Sequence, residues 1–486
     1  MDLYEYQRYG VDWMVCRERG NPQMFGDKTL KLKGGILADE VGLGKTMMST
    51  SVVKENPKMN TLVLVPKSLM VQWRDEILKC WKGASVELCE HDGSFTKNTD
   101  PNVSHIVIAP HSRLNGRCAT SCVQNPLCKM YWDRIIIDEA HVIKNKRTKM
   151  HKVCCELKTD VRWALTATPV MNRMDDFVNT LRWIGVPQDV CQNYKTQVTK
   201  EFVLRRTKVD VTTPNKELPP CNVEIVSLPF GSEQEQALYD GVYEDARDSL
   251  MSMKRSNNKN TVEALELLLR VRQVCCHPQC YVDGVAKKHK MEVEKWDYGC
   301  TKVNNICSDI SNTPAGDKCL VFCHFISEMD AYCKTLASMG IQCARLDGKM
   351  TTDQRLLNVE TFKQTPSYKA LVVQVNTGGV GYNFQVANWV YITSPMWNPS
   401  LQHQVVGRAH RNGQTKAVHV KVYRISDSEK GSYIEDYILA LQERKRALIA
   451  EILEDPRISN GKTVAEVTAS TITFADVVKM FRHKPS

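Results

Sequence analysis

The sequence lacks any apolar run of the ~18 residues that a membrane-spanning helix needs. Its first residues, MDLYEYQRYG, carry neither the basic segment nor the apolar segment of a secretory signal peptide. It also lacks internal repeats and low-complexity tracts. These absences predict a protein that works in the nucleus or the cytoplasm and has no membrane partner.

No two cysteines have the spacing C-x-x-C, although the chain contains 19 of them. Zinc ligands can be two to four residues apart, so a structural zinc site stays open as an alternative. The nearest such spacings are Cys118, Cys122 and Cys128, and Cys276-His277 with Cys280. In a reducing compartment we expect most of the cysteines to be buried free thiols instead.

The charge balance is 65 Lys and Arg against 55 Asp and Glu, a formal net charge of +10. This surplus suits a polyanionic partner, although a solubilising surface would show it too. The 486 residues exceed the ~250–300 at which a single hydrophobic core stops growing, so two principal lobes are expected. The hydrophobic content of 42% is ordinary for a globular protein.

Short apolar runs alternate with amphipathic stretches in both halves of the chain. Such runs indicate parallel strands buried on both faces, and the alternation indicates doubly wound α/β sheets with active residues at the carboxyl ends of strands. In the first lobe the runs are residues 34–39, 61–66, 105–110, 134–139 and 162–168, and in the second they are 318–325, 342–348, 369–376, 389–395 and 418–425.

We expect four parts, which are lobe one (1–214), a helical insertion leading into lobe two (215–300), lobe two (301–431), and a C-terminal helix and tail (432–486). Ser232, three residues before Glu235, predicts the start of a first helix in the insertion. Residues 256–260 break that helix, and residues 261–276 predict a second. A further helix is predicted over 432–455.

The segment DEVGLGKT (39–46) indicates a phosphate-binding loop between a strand and a helix. It ends in the consensus Gly-Lys-Thr, but Asp39 stands where the first consensus glycine would be. Gly42 and Gly44 would let backbone N–H groups turn toward phosphate oxygens. Lys45 would neutralise the β- and γ-phosphates, and the Thr46 hydroxyl would reach Mg²⁺. The alternative is a glycine-rich turn with an incidental lysine.

The segment IIIDEAH (135–141) sets two carboxylates after an apolar run. Asp138 would hold the metal and Glu139 would polarise the attacking water. Alone, the pair could equally cap the next helix. In the same lobe as a phosphate loop, it favours nucleotide hydrolysis.

Two arginines in QHQVVGRAHRNGQ (402–414) could supply positive charge from the second lobe. Such charge stabilises the negative charge that develops during phosphoryl transfer. The pattern predicts Arg408 and Arg411 on one face of a helix. The alternative is a solvated basic helix end.

Together, many segments in order resemble the Swi/Snf-type ATPases of helicase superfamily two, from about residue 3 to residue 453. The segments are LYEYQRYGVDWM (3–14), DEVGLGKT, LVLVPKSLMVQW (62–73), DEAH, LTATP (165–169), FVLRRTKVDVTTPNKELPP (202–220), LLRVRQVCCHP (268–278), CLVFCHF (319–325), RLDGKMTTDQR (345–355), NTGGVGYNF (376–384) and WNPSLQHQVVGRAHRNGQ (397–414). The resemblance implies two RecA-like lobes that use ATP and Mg²⁺ to track along double-stranded DNA, usually without separating its strands.

The resemblance also implies roles for individual residues. For nucleotide binding they are Gln7, as the adenine reader, Asp39, Glu40, Gly42, Leu43, Gly44, Lys45, Thr46, Gly379 and Gly381; for catalysis, Lys45, Asp138, Glu139, Gln404, Arg408 and Arg411. For DNA contact they are Lys67, Ser68, Ser112, Arg113, Asn376, Thr377, Gly378 and Trp397. For Trp397 the alternative is packing within the second lobe. For coupling hydrolysis to movement they are Thr166 and Thr168. Ala167 replaces a glycine usual in the family, which adds a methyl group to a tight turn. Arg205 and Arg206 belong to the family's connector.

The string CCHP and the segment LQERKRALI (441–449) resemble a subgroup that carries a RING finger, but this chain has no RING-like cysteine array. The compact length resembles the minimal enzymes of large DNA viruses, which would place it in a host nucleus or viral factory. We expect a monomer that acts on duplex DNA, with a nucleosome or transcription complex as a further partner. Two alternatives stay open, a strand-separating DNA or RNA helicase and an ATP-gated clamp or docking factor.

Overall fold

The computed structural model describes residues 3–481 except 90–94, 97, 99, 101, 115–124, 170–173, 212–217, 379–381, 428–432 and 453–472. The chain divides into two compact units, Met1–Glu217 with Ala447–Thr468 and Leu218–Arg446 with Ala469–Ser486. Among the helices in these described ranges, none is long and apolar enough to cross a membrane.

The first unit is built on a seven-stranded parallel sheet in the order β11-β3-β10-β8-β4-β6-β5. Its strands and those of two small sheets are β1 (Gln23–Phe25), β2 (Lys28–Leu30), β3 (Lys33–Leu37), β4 (Asn60–Val65), β5 (Ser85–Leu88), β6 (His105–Pro110), β7 (Tyr131–Trp132), β8 (Arg134–Ile137), β9 (Lys158–Thr159), β10 (Val161–Leu165) and β11 (Val203–Leu204). Its helices are α1 (Glu5–Glu18), α2 (Lys45–Glu55), α3 (Met70–Cys80), α4 (Pro126–Lys129), α5 (Lys149–Glu156), α6 (Met174–Ile184), α7 (Gln188–Asn193) and α8 (Lys195–Phe202).

The second unit has a six-stranded parallel sheet in the order β12-β17-β16-β13-β15-β14. Its strands are β12 (Cys221–Leu228), β13 (Cys319–Cys323), β14 (Gln342–Leu346), β15 (Tyr368–Gln374), β16 (Trp389–Ile392) and β17 (Val418–Ile425). Its helices are α9 (Glu233–Arg255), α10 (Thr261–Cys276), α11 (Pro278–His289), α12 (Thr301–Asn312), α13 (Ile326–Ser338), α14 (Thr352–Gln364), α15 (Val375–Gly378), α16 (Pro399–Val406), α17 (Ile434–Ile452, in this unit through Arg446) and α18 (Phe474–Met480).

These sheets confirm the predicted fold class of two doubly wound parallel-sheet lobes with helical insertions. The central strands are apolar on both faces because helices cover both sides of each sheet. Ile135, Ile136 and Ile137 of β8 and Leu320, Val321 and Phe322 of β13 all have no exposed surface. Every apolar run predicted as a strand forms one, with ends shifted by a few residues.

The predicted insertion contains a strand as well as helices. Ser232 caps α9, because its hydroxyl accepts a hydrogen bond from the Glu235 N–H at 3.2 Å, and α10 spans the predicted residues 261–276. Residues 221–228, however, form β12, which pairs in parallel with β17 along its whole length at the edge of the second sheet. The boundary between the compact units accordingly lies between Glu217 and Leu218.

Candidate functional site

The segment predicted to bind phosphate is a tight turn between β3 and α2. Gly42 and Gly44 have φ angles of 94° and 86°, in the left-handed region that favours glycine. At Gly44 a β-carbon would also lie 2.5 Å from the Gln7 Nε2 atom. Both the backbone conformation and the close approach of Gln7 therefore require glycine here.

The Lys45 side chain closes this loop on itself. Its Nζ atom donates hydrogen bonds to the carbonyl oxygens of Asp39 at 2.7 Å and Glu40 at 3.3 Å. Burial lowers the pKa of Lys45, while the carboxylates of Glu139, Asp39 and Asp138 act in the opposite direction. An ammonium group held by two neutral carbonyls can exchange them for charged phosphate oxygens, which are stronger acceptors.

Asp138 and Glu139 follow β8 at the same edge of the sheet. Leu37 of β3 is level with Leu165 of β10, and Ala164 of β10 is level with Ile137 of β8, so the three strands end side by side. The predicted phosphate loop and the acidic pair are therefore brought to one edge, as their positions after parallel strands indicate.

The Asp138 carboxylate is almost fully buried and is held by two donors. Trp73 Nε1 donates to Oδ2 at 2.8 Å, and the Glu139 N–H donates to Oδ1 at 2.9 Å. Burial and the neighbouring Glu139 carboxylate raise the pKa of Asp138 to about 6. Sequence reasoning missed Trp73, and the only signal for it was its place at the end of the segment 62–73.

Glu139 has a φ angle of 49°, a left-handed conformation that costs a non-glycine residue ~1–3 kcal/mol. Its Oε2 atom lies 3.3 Å from Nδ1 of His141. Backbone strain of the kind seen at Glu139 is concentrated at functional positions, which fits the predicted role of this residue.

Burial lowers the pKa of the nearby His111 to about 4, so that imidazole is neutral at pH 7.

Thr166 and Thr168 follow β10, between the phosphate loop and the acidic pair. Both are buried, and the Thr168 N–H donates to the Thr166 hydroxyl at 3.0 Å. Arg205 lies beside them, and its Nη1 atom donates to the carbonyl oxygens of Ala38 at 3.1 Å and Ala167 at 3.4 Å. The turn that carries Thr166 and Thr168, the residues predicted to couple hydrolysis to movement, thus contacts the connector at Ala167.

The connector is also bonded to the phosphate loop through Arg206. The Arg206 backbone N–H and Nε donate to Asp39 Oδ1 at 2.9 and 3.1 Å, and Nη2 donates to Oδ2 at 2.5 Å. The guanidinium also donates to the Tyr6 carbonyl. The Asp39 side chain, predicted to take part in nucleotide binding, is therefore committed to Arg206.

The side chains of Gln7 and Glu40 both form hydrogen bonds with backbone groups of the phosphate loop and the connector. Gln7, predicted to read adenine, is 1% exposed, and its Nε2 donates to the Leu43 carbonyl at 3.1 Å. The Glu40 carboxylate accepts from the Lys208 N–H at 2.8 Å. In the region that the structure describes, α1, the phosphate loop and the connector thus form one hydrogen-bonded assembly.

The predicted DNA contacts of the first unit lie at the carboxyl ends of two neighbouring strands. Lys67 and Ser68 begin a 3₁₀ helix after β4, and Ser112 and Arg113 lie in another after β6. Val65 of β4 pairs with Pro110 of β6, so both turns are at the same edge. Lys67, Ser68 and Ser112 are exposed and Arg113 is half-buried, which makes the group accessible to a polyanion.

In the second unit, Asn376, Thr377 and Gly378 form the short helix α15 directly after β15. Asn376 is exposed, and the Thr377 hydroxyl lies 3.4 Å from Gln374 Oε1, which accepts from the Gly348 N–H at 2.9 Å. The predicted nucleotide ligands Gly379 and Gly381 lie outside the described residues.

The prediction that Arg408 and Arg411 share a helix face is wrong. Helix α16 ends at Val406, and both arginines lie in the turns that follow Gly407. Backbone hydrogen bonds close these turns. The Arg408 N–H donates to the Val405 carbonyl at 3.1 Å, and the Gln414 N–H donates to the Arg411 carbonyl at 3.0 Å. Gln404 is buried within α16. Both arginines are half-buried, so they are not a fully solvated helix end.

Trp397 is half-buried and packs against an apolar cluster of the second unit. The Arg272 guanidinium lies 5.3 Å from its ring centroid. These contacts show that Trp397 packs within the second unit, and its contact with DNA stays a prediction.

Sixteen of the described cysteines are free thiols, most of them buried, whereas Cys128 is in a disulfide. Cys118 and Cys122 lie outside the described residues. His277 caps α11 by accepting the Gln279 N–H on Nδ1 at 3.0 Å, so its imidazole is a helix-capping group. Within the described part of the chain, no three His, Cys, Asp or Glu side chains form a group that could hold a metal.

Comparison with known proteins extends over nearly the whole chain. Residues 6–280 match the model of the SNF2-related domain, and residues 301–413 match that of the helicase conserved C-terminal domain. The "Probable global transactivator" of Orgyia pseudotsugata multicapsid polyhedrosis virus is 28% identical over 478 residues, which cover 93% of this chain and 92% of that protein.

Two further similarities are more distant or more partial. A DNA repair protein of Yarrowia lipolytica is 25% identical over 670 residues, and the match covers 96% of this chain but 64% of that longer protein. A solved Sulfolobus solfataricus SWI2/SNF2 ATPase core in complex with dsDNA is 24% identical with a TM-score of 0.39, covering 97% of this chain and 98% of that one.

Two parallel α/β sheets together with matches to the SNF2-related domain and the helicase conserved C-terminal domain identify a helicase-like ATP hydrolase. The SNF2-related model matches more than half of the 486 residues, so the chain belongs to the SNF2-related family. The resemblance to Swi/Snf-type ATPases is thereby confirmed.

Proposed function

We propose that the protein is a DNA-stimulated ATPase that moves along double-stranded DNA by gripping the phosphate backbone and thereby remodels protein–DNA complexes. The main support for this proposal is that β3, β10 and β8 end side by side, with Lys45 after the first and Glu139 after the last. The edge of the sheet at which these three strands end then provides a phosphate cradle and the carboxylates that hydrolysis needs.

The oxygen atoms near the loop fit a magnesium–ATP complex. Mg²⁺ prefers hard oxygen ligands and usually one or two carboxylates, and the Thr46 hydroxyl and the Asp138 carboxylate are of that kind. When bound, the metal would neutralise charge on the phosphates. Trp73 and the Glu139 N–H orient the Asp138 carboxylate, and Glu139 would orient the attacking water.

Residues of the second unit would complete the reaction. Arg408 and Arg411 would stabilise the charge of the transition state, and Gln404 would support them from α16.

In the first unit, Gln7 would read the adenine ring, because it is already hydrogen-bonded to the phosphate loop. Thr166 and Thr168 would couple the ATP site to the DNA grip, since they lie between the loop and the acidic pair.

Duplex DNA is the partner that the remaining features support. The net charge is +10, and the exposed Lys67, Ser68 and Ser112 form one accessible edge. A lysine and hydroxyl groups suit phosphates, which are the same at every position and carry no sequence information. A DNA repair protein among the relatives supports the same partner.

The test is the rate of ATP hydrolysis with duplex DNA, single-stranded DNA, RNA and nucleosomes, each at two salt concentrations. We expect duplex DNA to stimulate the rate most, and the stimulation to weaken with salt because backbone contacts release counterions. A triplex-displacement assay should be positive and a strand-displacement assay negative. Strand separation, or phosphate release that duplex DNA leaves unchanged, would contradict the proposal.

A further inference from the structure

Buried side chains from two helices hold the link between β16 and α16. Three successive carbonyl oxygens of this link each accept a side-chain hydrogen bond. Arg272 of α10 donates to the Pro395 carbonyl at 2.8 Å. On α17, Gln442 donates to the Met396 carbonyl, and Lys445 Nζ donates to the Trp397 carbonyl at 2.9 Å.

The start of the same link is fixed by a buried ion pair. The Ser394 hydroxyl donates to Glu435 Oε1 at 2.5 Å, and Glu435 pairs with Lys302 at 2.7 Å. Neither charged side chain has any exposed surface. Because Glu435 lies in the first turn of α17, that helix holds the link at Ser394, Met396 and Trp397.

Helix α17 also contacts α16 directly, because Gln442 Nε2 lies 3.2 Å from Gln402 Oε1. Lys445 is only 5% exposed and Gln442 is fully buried. Burying an ammonium or an amide N–H group costs free energy unless its hydrogen bonds are made, so the bonds that Lys445 Nζ and Gln442 Nε2 donate favour one geometry of the link. Arg408 and Arg411 follow the end of α16 by two and five residues.

We propose that Gln442 and Lys445 are positioning residues of the ATPase reaction, because they fix the direction in which α16 leaves the sheet and thereby the position of Arg408 and Arg411. This inference rests on the proposed role of these arginines at the triphosphate. A displacement of ~1 Å can cost ~100-fold in rate when a charge must meet a developing transition state. Neither residue belongs to the nucleotide-binding elements of the first unit, so ATP binding should be spared.

The test compares the double variant Lys445→Met/Gln442→Leu with Arg444→Met, a matched change at an exposed position of the same helix. We expect the double variant to lose about tenfold or more in kcat while KM for ATP stays within about twofold. Arg444→Met should keep both values. An unchanged kcat in the double variant, or a KM that rises as much as kcat falls, would overturn the inference.

A double-mutant cycle with the variant Arg408→Ala/Arg411→Ala separates positioning from general damage to the fold. If Gln442 and Lys445 act through the two arginines, adding their changes to Arg408→Ala/Arg411→Ala should lower the single-turnover rate no further. A further loss equal to that in the wild-type background would overturn the inference. If Arg408→Ala and Arg411→Ala both hydrolyse ATP at the wild-type rate, the proposed function of the arginines fails instead, whatever the α17 variants do.

Discussion

Arg206 and Asp39 form a buried ion pair between two segments that are 167 residues apart in the chain. Asp39 stands where the phosphate-loop consensus has a glycine, and its carboxylate has no exposed surface. The pair ties the phosphate loop to the connector, which runs on toward the second unit at Leu218. The position of the loop therefore depends on this connector as well as on its own glycines.

Replacing Arg206 with Ala should destabilise the first unit by about 3–5 kcal/mol, because it removes the guanidinium that pairs with the buried Asp39 carboxylate. The loss should be seen as a lower midpoint in thermal or urea unfolding, together with a raised KM for ATP. The matched control is Arg74→Ala, whose ion pair with Asp75 is solvent-exposed and should contribute ~1 kcal/mol at most. Equal effects of the two changes would show that the Arg206–Asp39 pair does not hold the loop.

Lys45→Ala should abolish steady-state ATP hydrolysis and weaken nucleotide binding, because the loop then lacks the only charge that we assign to the β- and γ-phosphates. The measurements are phosphate release and the affinity for a fluorescent ATP analogue. Lys54→Ala, an exposed lysine near the end of the same helix, should leave both unchanged. Wild-type turnover in Lys45→Ala would refute the phosphate site.

Glu139→Gln should separate binding from chemistry. The amide keeps the size of the side chain but cannot take a proton from water, so hydrolysis should fall by about 100-fold or more while ATP still binds. A rapid-quench experiment with preformed ATP complex measures the chemical step directly. Normal hydrolysis in this variant would mean that another residue activates the water.

The sequence predicted what depends on local pattern and missed what depends on distant partners. The apolar runs identified the strands, and the glycines at 42 and 44 identified the loop, because both signals lie within a few residues. The Arg206–Asp39 and Trp73–Asp138 contacts join segments 167 and 65 residues apart, so only the folded sheet brings them together.

Strand β12 and the arginine turn show a second limit. Exposed Val223 and Ile225 give β12 the mixed pattern of an edge strand, which does not stand out from a polar insertion. The spacing of Arg408 and Arg411 predicts a continuing helix, but α16 stops just before Gly407, and glycine is a poor helix former.

The second unit should lose stability in mild acid through His277. Burial lowers the pKa of His277 to about 4, and its neutral Nδ1 caps α11. Between pH 6.5 and 4 the unfolded chain binds a proton that the folded state excludes, so stability falls as pH falls. His277 should therefore lower the free energy of unfolding by about 2 kcal/mol between pH 7 and pH 5.

The variant His277→Asn keeps a capping side chain that does not titrate. It should therefore lose about 2 kcal/mol less than the wild type over the same pH interval, measured as the difference between urea unfolding free energies at pH 7 and pH 5. His289→Asn, at an exposed histidine, should lose as much as the wild type. Identical pH dependence in all three proteins would exclude His277 as the cause.

The Lys67→Ala variant tests the DNA-binding edge of the first unit. If Lys67 contacts one phosphate, its loss should weaken binding to every duplex sequence alike and reduce the slope of log affinity against log salt by about 1. Lys82→Ala is the control, because this exposed lysine follows α3 and precedes β5, at the opposite end of the sheet. The measurement is fluorescence anisotropy of labelled duplexes of two unrelated sequences between 50 and 200 mM salt, the range over which such contacts lose affinity steeply. An unchanged slope in Lys67→Ala, or an equal reduction in Lys82→Ala, would move the DNA path away from the carboxyl ends of β4 and β6.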